Sequence, residues 1–470
     1  SEMCIRDSFW SKANIKKSFG IDIDVDAIPF DDPKIFELMS SGRTAGVFQV
    51  ESAGMTATIK NMKPTEYKHV VALIALYRPG PLGAGMVTSY INRMNGKEPA
   101  VSYDPRLDGI LGETYGTMVY QEQVMLISVE MCGFSKGESD SRIRKPVAKK
   151  KIKMLTDQVF KWSDGEDETI YDHWMNGAEK NGYKRSVAQK IWDDVLEFAS
   201  YAFNKSHAAC YAVVAYQTAY LKYYYPVEFM ASLMTSVIDN PGKVAEYILV
   251  CRQMGIAILP PDINEGEPGF SVSGKSIRYG LTAIKGVGHP VADAVIAERK
   301  LRGVFKNLQD FLSRMSDTEV NKRNVENFIK AGAFDSLEGT RKQFMSVFVQ
   351  LMDQNQQNRK NNMAGQLSLF DLVDESEKKN YEIRFPDVGE YSKEILLTFE
   401  KEVLGVYVSG HPLQEYEQLW RRNISNTTAD FMLDEETNSV HIQDGAKAVI
   451  GGIIAVSYTH LRAHETPEHL

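Results

Sequence analysis

A helical pattern that runs from about residue 65 to 255 constrains the fold of this sequence more than any other feature. Glycine and proline interrupt helices, because glycine is conformationally free and proline lacks the backbone N–H that a helix needs. Such breaks occur at 79–81, Gly112, 133–137, Gly177 and Pro226. The sequence therefore predicts a domain of several helices over this region.

Residues 256–340 have a different character, with short β segments among compact helices. The β-rich stretches lie around Ile258 and at 276–279, and Gly332 stands where a glycine would end a helix. With ~100–200 residues per domain as the usual size, a chain of 470 residues predicts two to four compact units. The expected fold class is mainly α with small β elements, in an α+β multidomain arrangement.

Local signals elsewhere predict individual elements. Asp32 followed by Pro33 has the order of an N-cap and a first helical position, and residues 45–50 are short and β-rich. A helical pattern resumes at 392–403, and 447–454 alternates like the first strand of a β-domain. We therefore expect a helix after Asp32, a strand at 45–50, and the start of a β-barrel near the end of the chain.

The cysteines and the apolar runs of the sequence argue against a zinc-binding, a disulfide-rich and a membrane-spanning protein. None of the four cysteines forms a C-x-x-C pair, which argues against a structural zinc site or a disulfide framework and favours a reducing cytoplasm. No apolar run approaches the ~18–20 residues of a membrane-spanning helix. The first residues also lack the pattern of a signal peptide. We therefore expect a cytoplasmic protein that does not enter a membrane.

Residues 142–153 carry seven cations and no acid, although the whole chain has a formal net charge of −8. Binding depends on where positive charge is concentrated, so the net charge does not exclude a phosphate ligand. Arg142 and Arg144 can present planar guanidinium groups to phosphate oxygens, and Lys149, Lys150 and Lys151 can act as point charges. A solvated loop or helix face is the alternative interpretation of such a run.

Four polar residues, Asn204, Lys205, Ser206 and His207, stand directly before a predicted helix. Free backbone N–H groups at a helix N-terminus add to a lysine in binding an anion. An ordinary helix cap by Asn204 or Ser206 is the alternative, and the two interpretations are compatible. Upstream, Arg78 follows a helix in the turn at 77–82, where we expect it to project from the corner.

Residues 284–290 have the pattern of a helix–hairpin–helix turn. The turn residues are Lys285, Gly286, Val287 and Gly288, and a proline follows to open the second helix. Two glycines let backbone amides converge into a nest for phosphate, which grips DNA without reading its sequence. The helical stretch at 321–334 is a candidate for a degenerate partner of this hairpin.

Residues 353–365 are polar and predict a flexible tether. A glutamine followed by paired apolar anchors comes directly after it, and such a motif can insert its apolar side chains into a pocket on another protein. Its residues are Gln366, Leu367, Ser368, Leu369 and Phe370.

Several of these strings, in this order, resemble the bacterial DNA polymerase III alpha subunits, the C-family of replicative DNA polymerases. The resemblance covers about residues 21–454. The strings that carry it are 46–52, 77–82, 114–124, 203–207, 225–230, 259–264 and 405–412.

The resemblance implies roles for individual positions. Arg142, Arg144 and Lys145 fall where the family grips the triphosphate of the incoming dNTP, and Tyr201 with 204–207 falls where it positions the base and sugar. Arg78, the three lysines at 149–151 and the hairpin at 285–288 are expected to contact DNA. Residues 366–370 match the peptide that binds the beta sliding clamp. The partners implied are primer-template DNA, dNTP, the clamp and other holoenzyme subunits.

The same resemblance sets the expected organisation. Residues 35–255 would form the fingers domain, 256–352 the helix–hairpin–helix domain, and 353–390 the tether that carries the clamp peptide. Residues 9–34 would end the palm, and 391–454 would form a helical linker and the start of an oligonucleotide-binding barrel. The segments at 1–8 and 455–470 break the pattern, and we expect them to be foreign to the protein.

Two features depart from the family pattern. The family's basic segment runs through a short Met-Gly before its lysines, whereas proline, valine and alanine stand at 146–148 here. Residues 155–175 are also longer and more acidic than usual, which is typical of a divergent branch. Both departures bear on which residues contact the triphosphate.

Transfer of a nucleotide onto a primer 3′-hydroxyl needs two Mg²⁺ ions held by carboxylates. Asp22, Asp24 and Asp26 alternate and would share one face of a strand. By resemblance, however, the metal-binding aspartates belong to a palm domain upstream of this sequence, so we expect neither catalytic nor metal-binding residues here. Two alternatives remain, a non-catalytic DNA-binding module recruited to the clamp and an error-prone polymerase of the same family.

Overall fold

The computed structural model describes residues 2–149, 151–163, 165–198, 203–363, 385–431, 440, 442 and 444–452. The chain divides into two compact units, Ser1–Leu233 and Met234–Leu470. Helices predominate in both units, which confirms the mainly α class with small β elements. Within the described residues, none of the helices combines the length and the apolar character that crossing a bilayer requires.

The helices of the first unit follow each other closely along the chain. Their bounds are α1 Glu2–Phe19, α2 Pro33–Ser40, α3 Ala53–Met62, α4 Tyr67–Leu76, α5 Pro79–Gly83, α6 Met86–Met94, α7 Asp108–Leu111, α8 Gln121–Glu130, α9 Lys136–Glu138, α10 Lys145–Ala148, α11 Ile152–Thr156, α12 Ile170–Lys180, α13 Arg185–Phe198, α14 Lys205–Tyr224 and α15 Pro226–Ser236, the last of which crosses the division. A π-helix, Ser139–Arg144, connects α9 to α10. Strands β1 Val159–Lys161 and β2 Asp167–Thr169 form an antiparallel hairpin.

The second unit combines a small sheet with further helices. The helices are α16 Pro241–Gln253, α17 His289–Arg302, α18 Leu308–Arg314, α19 Lys322–Ala331, α20 Arg341–Met363, α21 Lys393–Leu404 and α22 Glu417–Asn423. The strands are β3 Ile258–Leu259, β4 Ser271–Ser273 and β5 Ser276–Arg278. The sheet order is β3-β5-β4, in which β5 pairs parallel with β3 and antiparallel with β4.

Helix α14 lies at the centre of the first core of unit 1. Ala208, Ala212, Ala215 and Ala219 recur at helical spacing and are fully buried, so that neighbouring helices approach α14 closely. Helices α2 and α4 pack on this face. Tyr216 is also buried in this core.

A second core in unit 1 lies under the cationic stretch. Trp174 of α12 and Trp192 of α13 are buried with ring centroids 5.3 Å apart. Ile143 and Val147, which alternate with the cations of the stretch, are buried in the same cluster. Burial of these two side chains fixes the π-helix and α10, because apolar burial stabilises a segment at roughly 25 cal/mol per Å².

Several expected elements are present. Asp32 caps α2 with Pro33 in its first turn, Gly332 ends α19 with φ +80°, and β3 and β5 occupy the two stretches predicted to be β-rich. Helix α21 covers the pattern predicted at 392–403.

Other elements differ from the expectation. Residues 45–50 form turns rather than a strand, and α20 continues as a helix to Met363 where we expected a tether from residue 353. Residues 447–452 form no strand, and the last two residues of that predicted strand lie outside the described part.

A buried lysine explains the turn at 45–50. Lys222 of α14 is 2% exposed, and its Nζ donates to the carbonyl oxygens of Arg43 (2.9 Å) and Ala45 (2.6 Å). The Phe48 N–H donates to Thr218 Oγ1 at 3.1 Å. These bonds from α14 satisfy backbone groups that a sheet would otherwise pair, so the tertiary contacts override the local β propensity.

The core of unit 2 contains a buried arginine. Arg341 is 6% exposed; it pairs with Asp335 at 2.6 Å and donates to the Lys330 carbonyl oxygen at 3.1 Å. Its Nη2 lies 3.8 Å from Oε1 of the fully buried Glu400, whose Oε2 accepts from the N–H groups of Val408 and Ser409. Removing the guanidinium would leave a buried carboxylate without a cation.

We therefore expect Arg341→Ala to lower the free energy of unfolding by about 3 kcal/mol, because breaking a buried ion pair uncovers a charge. The matched control is Lys243→Ala, which removes an exposed ion pair with Glu246 in the same unit and should change stability by less than about 1 kcal/mol. Urea unfolding followed by circular dichroism measures both. Equal losses in the two variants would contradict the role of Arg341.

Candidate phosphate-binding site

The entrance to α14 is held against the start of α8. Tyr120 and Phe203 form an isolated parallel bridge, and the Gln121 N–H donates to the Phe203 carbonyl oxygen at 2.9 Å. Glu122 of α8 then accepts from the Lys205 N–H (2.9 Å) and from Asn204 Nδ2 (2.8 Å). One carboxylate therefore fixes two of the four polar residues.

Asn204 also caps α14. Its Oδ1 accepts from the His207 N–H at 2.9 Å. The prediction that Asn204 or Ser206 closes the helix is thus confirmed for Asn204. Ser206 and His207 are exposed. Tyr201, the fifth residue expected here, lies outside the described residues.

Lys205 is already paired with an acid. Its Nζ lies 2.8 Å from both carboxylate oxygens of Glu113 and 5.4 Å from the centre of the Tyr120 ring. The two charged side chains are 42% and 36% exposed, so solvent screens the pair and an anionic ligand can compete for the lysine.

The cationic stretch contacts the same helix α8. Ser139, the first residue of the π-helix, is fully buried; its Oγ lies 2.7 Å from Ser128 Oγ and 3.0 Å from the Met125 carbonyl oxygen. These contacts lie three to six residues after Glu122, or about 5–9 Å along the axis at ~1.5 Å per residue. Helix α8 therefore supports both candidate phosphate-binding segments.

Within the stretch, Arg144 and Lys145 share one acid. Asp140 accepts from Arg144 at 2.6 Å and from Lys145 at 2.9 Å. Hydrogen bonds from Lys145 and Arg144 hold the pKa of Asp140 below its usual range. Lys149 and Lys151 are exposed, and Lys150 lies outside the described residues.

Arg142 has a different environment. Its guanidinium carbon lies 3.9 Å from the centre of the Phe160 ring and 5.9 Å from the Trp162 ring, both on the β1–β2 hairpin. Among the described residues, no carboxylate forms an ion pair with it. The guanidinium carbon lies over the Phe160 ring, within the range of a cation–π contact. The N–H donors of a guanidinium lie in its plane, so an aromatic ring over its face does not use them as a carboxylate would.

The glutamines of α8 are internal. Gln123 is 2% exposed; its Oε1 accepts from the N–H groups of Val119 and Tyr120, and its Nε2 donates to Thr114 Oγ1 at 2.8 Å. The sequence alone does not reveal that Gln123 is buried while Glu122 contacts the entrance to α14. Neighbouring residues of a helix lie on different faces, so an error of one residue in the predicted face exchanges their roles. It also missed Glu113, which is 92 residues from its partner Lys205.

Arg78 packs inward rather than projecting from its corner. Its guanidinium carbon lies 4.1 Å from the centre of the Phe203 ring, and its Nε donates to the Ala75 carbonyl oxygen at 2.9 Å. Burial lowers the pKa of Arg78 from its ordinary value. The Phe203 ring is the first in a row of four aromatic rings. The distances between ring centres are 5.4 Å from Phe203 to His207, 4.5 Å from His207 to Tyr211, and 5.3 Å from Tyr211 to Phe48. Arg78 therefore stabilises the entrance to α14 from the side.

In unit 2 the predicted hairpin is rigidly held. Gly286 has φ +77°, which only glycine adopts without strain, and Val287 is buried. Asn324 Nδ2 donates to the Gly286 carbonyl oxygen at 2.7 Å, and Asn327 Nδ2 donates to that of Lys285 at 2.6 Å. Both asparagines are buried in α19, so the stretch at 321–334 supports the turn from behind.

Helix α17 begins directly after this turn. Gly288 caps this helix without a side-chain hydrogen bond, and Pro290 lies in its first turn. Lys285, Gly286 and Gly288 are exposed. The element before the turn is a single 3₁₀ turn, Leu281–Ala283, rather than a full helix. The N-terminal dipole and backbone amides of α17 therefore face an accessible position beside a lysine.

The three aspartates at 22–26 do not share a strand face. Asp24 caps a 3₁₀ helix, Val25–Ala27, and Asp22 pairs with Lys16 at 2.8 Å. Across the described ranges, no group of three or more His, Cys, Asp or Glu side chains is arranged to hold a metal ion.

Comparison with known proteins identifies the relatives of both units. Residues 5–168 match the family described as the bacterial DNA polymerase III alpha subunit finger domain, and residues 255–344 match a helix-hairpin-helix motif. The chain is 40% identical over 422 residues to DNA polymerase III subunit alpha of Thermus aquaticus, covering 88% of this chain and 32% of that protein.

Two further relatives carry the same name. The subunit of Aquifex aeolicus (strain VF5) is 40% identical over 430 residues, covering 91% of this chain and 34% of the relative. That of Haemophilus influenzae is 38% identical over 443 residues, covering 93% of this chain and 36% of the relative. The chain thus spans about a third of the length of the curated relatives it matches.

Proposed function

Because the chain belongs to the family of bacterial DNA polymerase III alpha subunits, we propose that its first unit grips the triphosphate of an incoming dNTP during DNA-templated DNA synthesis. The observation that carries this proposal is the shared support on α8. Glu122 holds the entrance to α14, and Ser128 contacts the π-helix that bears Arg142 and Arg144. Two segments rich in phosphate-binding groups are thereby anchored within two turns of one helix.

Binding in this arrangement is an exchange of anions. The triphosphate oxygens replace Glu113 at Lys205 and Asp140 at Arg144 and Lys145, while Arg142 donates without giving up a carboxylate. The N-terminal end of the α14 helix dipole adds a positive partial charge. Ser206 and His207 stand exposed at the same entrance, where we propose that base and sugar lie. Tyr201, which lies outside the described residues, is part of the same proposal.

Transfer of the nucleotide to a primer requires divalent metal ions. Mg²⁺ would supply the activation of the attacking 3′-oxygen and the stabilisation of the leaving pyrophosphate. The described residues do not fit such a metal site, so we assign none of them a step that involves Mg²⁺. We propose that Mg²⁺ binds outside them and that the protein works in the cytoplasm.

The hairpin of the second unit is proposed to hold the backbone of primer-template DNA. Lys285 and the amides at the start of α17 suit one phosphate group, and such contacts fix a duplex in place without selecting a sequence. Lys149, Lys150 and Lys151 of the first unit are also proposed to contact DNA. We also propose two kinds of protein partner. Residues 366–370, which lie outside the described residues, would bind the beta sliding clamp, and other parts of the chain would contact further holoenzyme subunits.

For the nucleotide site, we expect Arg142→Ala to weaken binding of dATP to the full chain by roughly tenfold, the loss typical of one charge-assisted hydrogen bond of about 1.5 kcal/mol. Arg144→Ala should weaken it less, because Arg144 must first leave Asp140. Isothermal titration calorimetry measures the affinity. The control Arg185→Ala removes an exposed arginine of α13 that pairs with Glu179. Unchanged affinity in Arg142→Ala would refute the nucleotide site.

For the hairpin, we expect Lys285→Ala to weaken duplex DNA binding to a similar extent for every sequence and to reduce the salt slope by about one. Fluorescence anisotropy with labelled duplexes at several salt concentrations measures both. Lys275→Ala, at the exposed β4–β5 turn of the same unit, is the control. A loss that depended on the DNA sequence, or an equal loss in the control, would argue against the backbone contact.

For the clamp peptide, we expect the double change Leu369→Ala and Phe370→Ala to abolish retention of the chain on immobilised sliding clamp, because both apolar anchors are lost. Leu372→Ala, just beyond the motif, should leave retention intact, and duplex binding should not change in either variant. Undiminished retention of the double variant would show that another segment makes the contact.

A further inference from the structure

We propose that Phe160, on the β1–β2 hairpin, is a positioning residue that orients the Arg142 guanidinium toward the bound triphosphate. This inference rests on the proposed function of the first unit. The Arg142 guanidinium carbon lies 3.9 Å from the centre of the Phe160 ring, within the range of a cation–π contact. The hairpin lies in the acidic stretch at 155–175 that departs from the family pattern.

Stacking prepares Arg142 for a ligand in a way that an ion pair would not. Arg144 uses Nε and Nη2 on Asp140, so those donors are occupied. A stacked arginine instead keeps the edge of its fork available, and the ring restricts the side chain before the ligand arrives. Less conformational entropy is then lost on binding, which raises affinity without a new contact to the ligand.

The hairpin is rigid enough to serve as a support. Trp162 is 4% exposed and stacks on His173 of α12 with ring centres 3.8 Å apart and planes 6° apart. Its Nε1 donates to the Glu168 carbonyl oxygen at 3.2 Å, and Glu168 Oε2 lies 3.1 Å from His173 Nδ1. The hairpin therefore contacts α12 through Trp162 and Glu168. Phe160 itself packs against the second core of unit 1.

A second hydrogen bond joins the hairpin to the residue that precedes the π-helix bearing Arg142. The Ser163 N–H donates to Glu138 Oε1 at 3.2 Å, while Glu138 Oε2 accepts from Ser135 Oγ at 2.7 Å. Burial alone would raise the pKa of Glu138, but the hydrogen bonds from Ser135 and Ser163 outweigh it and lower the pKa to about 2. Glu138 directly precedes the π-helix, so the ring and the arginine are tied to one frame.

The experiment compares Phe160→Leu with Phe160→Tyr in the full chain. Leucine keeps apolar bulk but has no aromatic face, and it should weaken dATP binding about 3- to 10-fold, the range of one cation–π contact. Tyrosine keeps the ring and should bind within twofold of the unchanged chain. Calorimetric titration gives the affinities, and the midpoint of thermal unfolding establishes that both variants fold.

A double-mutant cycle separates positioning from general packing. If Phe160 acts through Arg142, Phe160→Leu should cause no further loss in a chain that already carries Arg142→Ala. An equal loss in both backgrounds would overturn the inference and assign Phe160 a packing role, as would unchanged affinity in Phe160→Leu alone. In either case a loss in Arg142→Ala alone would leave the nucleotide site standing. Unchanged affinity in Arg142→Ala would overturn both.

Discussion

Helix α8 is the constraint on which the candidate nucleotide site depends. Its first turn presents Glu122 to the entrance of α14, and a later turn presents Met125 and Ser128 to the π-helix. The buried Gln123 fixes the start of α8 by satisfying two backbone N–H groups. A change in the position of α8 would therefore move both candidate phosphate-binding segments together. A site assembled from distant parts of a chain requires this property.

Part of the positive charge of this site is paired with acids before any ligand arrives. A run of seven cations would otherwise repel itself, and Asp140 relieves that repulsion at two of them, while Glu113 neutralises Lys205 at the entrance to α14. These pairs are between about a third and a half exposed, so each contributes little to stability and is easily exchanged. In the proposed site, the affinity for a triphosphate would be a difference between two sets of ion pairs. Arg142, which pairs with no carboxylate in the described part of the chain, has the largest net gain.

The sequence predicted what depends on neighbouring residues and missed what depends on distant ones. The caps at Asp32, Gly332 and Asn204 follow from local chemistry and are present. The turn at 45–50 depends on Lys222, more than 170 residues away, and no local pattern reveals that contact. The inward packing of Arg78 depends in the same way on Phe203. The cationic stretch and the polar residues before α14 were recognisable from sequence. Glu113 and Glu122, which hold the polar residues, were not, because they lie 92 and 83 residues from Lys205.

The acidic stretch at 155–175 gains a physical explanation from its contacts. An acidic hairpin beside an arginine would be expected to neutralise it, yet Glu168 is engaged elsewhere: its oxygens lie 3.1 Å from His173 Nδ1 and 2.7 Å from Asn176 Nδ2. The group that meets Arg142 is the Phe160 ring instead of a carboxylate. A ring attracts the guanidinium without competing for its N–H donors, so the hairpin restrains the arginine and leaves its hydrogen-bonding capacity for an anion. Divergence in this stretch is therefore compatible with the phosphate binding that we propose.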